Sequence, residues 1–262
     1  MRRICVPQND VEDEITEQKV MKGAFNACKD LKSHQLYVGL RRLLIENPVL
    51  TPLEIFHEKR NLHGLEEVLN DAYEVGPAAY YHEGKYMECG RCGSLLVKNK
   101  VGQLCCEDLI CREEGPTRLR RKWEETVLQL KRGLRRFVAR PGLVELRLFQ
   151  KLQRDSGVEV ELWPDFDRYD LKITIGGEVW AVDVKDWTNP FLLGRSINEK
   201  GQFPRSSEEP WTRAFWVFPN ERDSPNGYYM AAFKNSCRQL DKQAEAVFEK
   251  GLLQRVSRRA SR

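Results

Sequence analysis

The sequence predicts an α/β fold for its C-terminal half, and three observations carry that expectation. LVELRLFQKL (143–152) sets apolar residues at helical spacing, and LKITI (171–175) alternates in the manner of a half-buried strand. Gly176-Gly177 then reads as a hairpin turn leading into a second strand, EVWAVDVKDW (178–187). From Pro141-Gly142 onward the pattern reads as a helix, three strands, a loop-rich stretch, a strand and a long helix, with no internal repeat.

Upstream, QKVMKGAFNACKDL and LYVGLRRLLIEN read as helices. Asn47-Pro48 ends the second, and Thr51-Pro52 offers a threonine cap with proline in the first turn of the next. Residues 1–80 form an N-terminal helical region, either a helical hairpin or a winged-helix-like module, and packing is its expected role. Residues 81–115 are rich in glycine and cysteine with short β-like pieces. Residues 116–140 read as a basic amphipathic connecting helix, with Trp123, Val127, Leu130, Leu134 and Phe137 on one stripe. Residues 141–262 make the α/β domain.

The 262 residues, 41% hydrophobic and 10% aromatic, suffice for a buried core. No apolar run reaches the roughly 20 residues of a membrane span. The opening MRRICVPQND turns polar too early for a signal peptide, so a soluble, cytoplasmic protein is expected. Net charge is +4, a mild basic excess compatible with a nucleic-acid partner. That excess is uneven. TRLRRKW and LKRGLRRFVAR lie between 117 and 140, which makes Arg120, Arg121, Arg132, Arg135 and Arg136 the candidate phosphate contacts.

Five of the eight cysteines fall between Cys89 and Cys111, while Cys5, Cys28 and Cys237 are scattered. Such clustering reads as metal binding rather than as a disulfide framework. Cys89-x2-Cys92 followed by Cys106-x4-Cys111 supplies four thiolates for a zinc ribbon, with Gly90 and Gly93 permitting the tight turn. Cys105 is the spare, though a swap with Cys106 stays open and His82 is a weaker substitute. Four protein ligands leave no open position, so the expected Zn2+ is structural. His34, His57, His63 and His82 show no paired spacing, which argues against histidine-based chemistry.

The stretch from Trp163 to Trp187 carries the chemistry. Alternation puts Asp183 and Lys185 on one face of their strand, and the hairpin brings Asp170 close to Asp183. Two carboxylates and a lysine at neighbouring strand ends suit phosphodiester cleavage, because Mg2+ (or Mn2+) prefers oxygen ligands and lysine can serve the attacking water. Glu145 shares a helix face with Leu148, Phe149 and Leu152, a costly place for a carboxylate without a partner. A plain salt-bridge ladder explains Asp183 and Lys185 but not Glu145. Asp165, Asp167 and Asp186 read as loop acids, with Asp167 a stand-in for Asp170.

These elements resemble the PD-(D/E)xK, or restriction-endonuclease-like, nuclease superfamily over about 141–248. The resemblance implies an αβββαβ core in which Asp170 and Asp183 bind Mg2+, Lys185 serves the water and Glu145 supports the metal or the lysine. A helical start, a cysteine ribbon, ELWPDFDRYDLKI and VWAVDVKDW followed by Asn189-Pro190 are similar to the nuclease-like proteins associated with PIWI proteins in prokaryotic defence islands. That likeness implies a PIWI/Argonaute-type partner, a helicase, and defence against phage or plasmid DNA. Two function classes follow: a metal-dependent endonuclease acting on DNA (RNA being the alternative substrate), as a monomer or homodimer, or a non-catalytic nucleic-acid-binding scaffold subunit.

Overall fold

The computed structural model describes residues 8–113, 115–154, 156–200, 203–204, 210–238 and 244–261. Cys5 and the start of the chain, where a signal peptide was discounted, lie outside them. Among the described residues no helix is long and apolar enough to cross a membrane. The chain divides into two compact units, Met1–Leu143 and Val144–Arg262.

In the first unit α1 (Gln8–Asp30) and α2 (His34–Glu46) precede α3 (Pro52–Asn61) and α4 (Glu66–Ala72). The local signals explain their ends. Ser33 caps α2 by accepting a hydrogen bond from Leu36 N, and Asn47 closes it. Thr51 and Glu54 form a reciprocal capping box on α3, with Pro52 in the first turn. Between α2 and α3 lies β1 (Val49–Leu50), and after α4 come β2 (Tyr73–Val75), β3 (Tyr81–His82) and β4 (Lys85–Cys89). The short hairpin of β5 (Val97–Lys98) and β6 (Leu104–Cys105) is followed by α5 (Leu109–Glu113).

The expected helix over 116–140 is not there. The chain instead forms β7 (Leu119–Trp123), antiparallel to β4, and β8 (Leu128–Leu130), which lies between β1 and β2. Helix begins only with α6 (Arg132–Leu134), a π-helical turn Arg135–Ala139, and α7 (Arg140–Leu152). Tertiary pairing overrides the periodicity. Trp123 and Val127 join Val49, Tyr80, Tyr86 and Leu95 in one apolar cluster, which a strand across Tyr86 reaches and a free-standing helix would not. Pro141 follows directly on the π-helical turn inside continuous helical backbone from 132 to 152, so it does not mark a break.

The second unit is built on a five-stranded sheet in the order β13-β12-β11-β10-β9. These are β9 (Val158–Leu162), β10 (Leu171–Ile175), β11 (Glu178–Val184), β12 (Arg213–Phe218) and β13 (Ala244–Phe248). β9, β10 and β11 run antiparallel to one another, while β11, β12 and β13 are parallel. Gly176 and Gly177, with φ of 53° and 78°, form the two-residue turn between β10 and β11. Parallel neighbours need crossover connections, and α9 (Pro190–Lys200) and α10 (Tyr228–Ser236) supply them, with α11 (Glu249–Ala260) closing the chain. The order from α7 to β12 is thus α-β-β-β-α-β, apart from the single turn α8 (Pro164–Asp167).

Two expectations are corrected here. The loop-rich stretch contains α9, whose start was signalled by Asn189-Pro190: Asn189 Oδ1 accepts from the backbone N–H groups of Phe191 and Leu192. Its Gly194 and Ser196 blur the helical pattern; a side chain at 194 would collide with Ser236. The single long helix after RAFWVFP is in fact α10, a fifth strand and α11. The helix pair α9–α10 covers one sheet face, where Leu193, Ile197 and Phe233 pack with Ala181, Ala214, Trp216 and Phe218.

Candidate active site and metal centre

Cys89, Cys92, Cys106 and Cys111 converge with their sulfurs all within 4.8 Å of one another, and all four are buried. The turn that joins the first pair closes through Gly93 N–H to Cys89 O at 2.9 Å, and Gly93 adopts φ 74°. Cys105 is not in the group. It lies on β6, paired with Val97, and strand alternation sends its neighbour Cys106 the other way, into the cluster. His82, on β3, is also outside it.

The donor set fits zinc. Tetrahedral zinc with Zn–S bonds near 2.3 Å holds its sulfurs roughly 3.8 Å apart, and Cys92 Sγ lies 3.5 Å from Cys106 Sγ. Hydrogen bonding among the four thiols pushes Cys89 and Cys92 below the ordinary thiol range and Cys106 and Cys111 above it, so the cluster shares its protons as a unit. Burial alone raises the Cys28 thiol to about 11.

In the second unit the hairpin register pairs Leu171 with Val182, which sets Asp170 beside Asp183. Asp170 Oδ2 accepts the Val184 backbone N–H at 2.6 Å, fixing the carboxylate. Asp183 Oδ1 accepts from Lys185 Nζ at 2.5 Å, and that ammonium also lies 5.6 Å from the centre of the Trp216 ring. Lys185 keeps its place on the sheet through N–H to Val217 O at 2.8 Å. From α7, Glu145 is buried and accepts a 2.6 Å hydrogen bond from Trp163 Nε1.

The four sequence-predicted residues therefore act on one another. Burial, the largest influence on Lys185, draws its pKa down, but the attraction of Asp183, Asp170 and Glu145 outweighs it, so the net shift is upward. Accessibility grades across the group. Glu145 and Asp170 are 3% and 7% exposed, whereas the side chains of Asp183 and Lys185 are 13% and 27% exposed, so a substrate would meet Asp183 and Lys185 first.

Sequence reasoning assigned no role to Trp163. Its backbone N–H donates to the Asp170 backbone carbonyl at 2.8 Å while its indole holds Glu145, so one buried residue ties the Glu145 carboxylate to the Asp170 main chain. It opens a left-handed turn in which Trp163, Asp165, Phe166 and Asp167 all have positive φ. The available signal was a tryptophan that breaks the alternation of VEVEL immediately before PDFD. Asp186 is not a free loop acid: its side chain is 7% exposed and paired with Arg222 at 2.8 Å.

The candidate phosphate contacts, all in the first unit, do not line one helix. Arg120 and Arg121 are exposed on β7, Arg120 reaching Glu88 at 3.3 Å and Arg121 lying over Trp123. Arg132 and Arg136 both approach Asp13 Oδ2, at 3.0 and 3.9 Å. Arg135, expected on the surface, is buried and faces Glu107 at 3.4 Å; the π-helical turn rotates it inward.

No curated protein matches the chain. The model of a family described as REase associating with pPIWI_RE matches residues 142–262. That span, a little under half of the chain, takes in Glu145, Asp170, Asp183 and Lys185 together with the whole five-stranded sheet, and over it the chain is similar to this REase family.

Proposed function

We propose that the second unit is a metal-dependent nuclease with a restriction-endonuclease-like core. The observation that carries the reading is the convergence of Glu145, Asp170 and Asp183 on Lys185 at the end of the central hairpin. Three carboxylates against one ammonium leave an excess of negative charge that a divalent cation would neutralise, and carboxylate oxygens are the donors that Mg2+ or Mn2+ prefers. Asp170 and Asp183 would hold it. Bound there, the metal supplies polarisation of the scissile phosphate.

The protein's own groups do the rest. Lys185, anchored by Asp183, orients the attacking water and offsets charge that builds on the phosphate. Glu145 fixes the lysine and the metal-binding carboxylates from behind, and Trp163 holds Glu145 still. In the first unit the four cysteines would take Zn2+ as a structural ion, since four protein ligands leave no position for substrate. Arg120 and Arg121, exposed on β7, are the leading phosphate contacts there.

The family description names a pPIWI_RE association. We extend it to this chain as a PIWI/Argonaute-type partner, with a helicase in the same defence system and phage or plasmid DNA as substrate. The test is cleavage of plasmid and single-stranded DNA by the purified chain, with Mg2+ or Mn2+ against EDTA, beside Lys185→Ala. Metal-dependent cutting that disappears in the variant is expected. Cutting that persists in Lys185→Ala would overturn the site.

A further inference from the structure

α9 and the C-terminal end of α10 border an open crevice of about 610 Å3 lined by Phe191, Arg195, Asn198, Glu199, Asn235 and Arg238. Its parts are not those of a simple seam between helices. Phe191 is 50% exposed, and the Arg195 guanidinium lies 5.8 Å from its ring centre. Arg195 and Arg238 are both exposed and enter none of the ion pairs among the described residues. Asn198 holds the floor rigid. Its Nδ2 donates to Ser236 O and its Oδ1 accepts from Arg238 N–H, each at 2.8 Å, so Arg238 is fixed relative to α9.

The crevice lies close to the proposed reaction centre along the chain. Phe191 is six positions along the chain from Lys185, so their Cα atoms are at most about 21 Å apart, a gap that a few nucleotides can span. Two exposed guanidinium groups suit phosphates, and an exposed aromatic face suits a base that has left its stack. A paired base in a duplex presents no such face to Phe191.

We propose that this crevice is a subsite for single-stranded nucleic acid, continuous with the strand that reaches Lys185. Phe191 stacks one unpaired base, Arg195 and Arg238 contact phosphates, and the Asn235 amide meets a base edge. Glu199 opposes the strand at one margin and limits how tightly it is held. The subsite rests on the nuclease reading for its purpose, but its binding is measurable without any cleavage.

The experiment is fluorescence anisotropy of a short labelled oligonucleotide on the full-length chain, with Ca2+ replacing Mg2+ and circular dichroism to verify folding of each variant. Arg195→Ala/Arg238→Ala should weaken binding on the order of tenfold and flatten the slope of log affinity against log salt by about 1.4, at roughly 0.7 per phosphate contact. Phe191→Ala should weaken it roughly 5- to 150-fold. Glu199→Gln should tighten it, an opposite sign that loss of structure would not produce. DNA and RNA oligonucleotides in parallel identify which strand is held. The proposal is overturned if the wild-type chain does not bind, if the double variant keeps both affinity and salt slope, or if duplex competes as well as single strand. Normal binding by crevice variants, in a chain whose cutting needs Lys185, removes the subsite and leaves the nuclease. Crevice-dependent binding by a chain that cuts with neither Mg2+ nor Mn2+ does the reverse.

Discussion

The indole N–H of Trp163 donates to Glu145 at 2.6 Å, with both side chains almost wholly buried. Trp163→Phe keeps most of the volume and removes the donor, leaving a buried carboxylate short of a partner. A loss of about 1–3 kcal/mol is expected from denaturant unfolding. In a double-mutant cycle with Glu145→Gln the two losses should fall short of additive. Full additivity would mean that the hydrogen bond contributes nothing.

Lys185 gives a pH prediction of fixed sign. Its pKa is raised in the folded state, so its contribution to stability is complete below the ordinary lysine value and is lost as pH climbs through the raised one. In EDTA, Lys185→Met should be less stable than the wild type at neutral pH. That gap should narrow only at alkaline pH, above the usual lysine range. A gap that closes between pH 5 and 8 would contradict the assignment.

The cysteine cluster separates two adjacent residues. Cys105→Ser should retain stoichiometric zinc and Cys106→Ser should lose it, read by a chromophoric chelator after proteolysis. Chelation of the intact chain should expose the four clustered thiols to a thiol reagent, while Cys28, with a pKa of about 11, stays slow to react at neutral pH.

Asp186 and Arg222, with side chains 7% and 14% exposed, form a pair that cannot be broken from one side cheaply. Arg222→Ala strands a buried carboxylate one residue after Lys185 and should cost about 3–5 kcal/mol. Arg222→Met with Asp186→Asn should recover much of that. If the single variant unfolds at the wild-type denaturant midpoint, the pair is not structural.

The hairpin was legible because its signals are local. Two glycines, strict alternation and the register they impose bring Asp170 to Asp183 without help from the rest of the chain. The four cysteines were legible for the same reason, as closely spaced pairs. What failed was governed at a distance. The helical stripe through Trp123 and Val127 gave way because β4 offers a partner strand some thirty residues upstream. Arg135 turned inward because a π-helical turn shifts the phase of everything after Leu134. Trp163 was invisible as a partner of Glu145 because nothing in the spacing joins a helix residue to a strand end.

β11 is an interior strand, laddered to β10 on one side and to β12 on the other. Its amides can exchange with solvent only when both ladders open, so the backbone beneath Asp183 should be among the slowest-exchanging segments of the unit. A binding partner would gain little by reshaping this strand, where a small change is resisted from both flanks. The entry to α9, where Phe191 and Leu192 are exposed, lies outside that double ladder and is held from fewer sides.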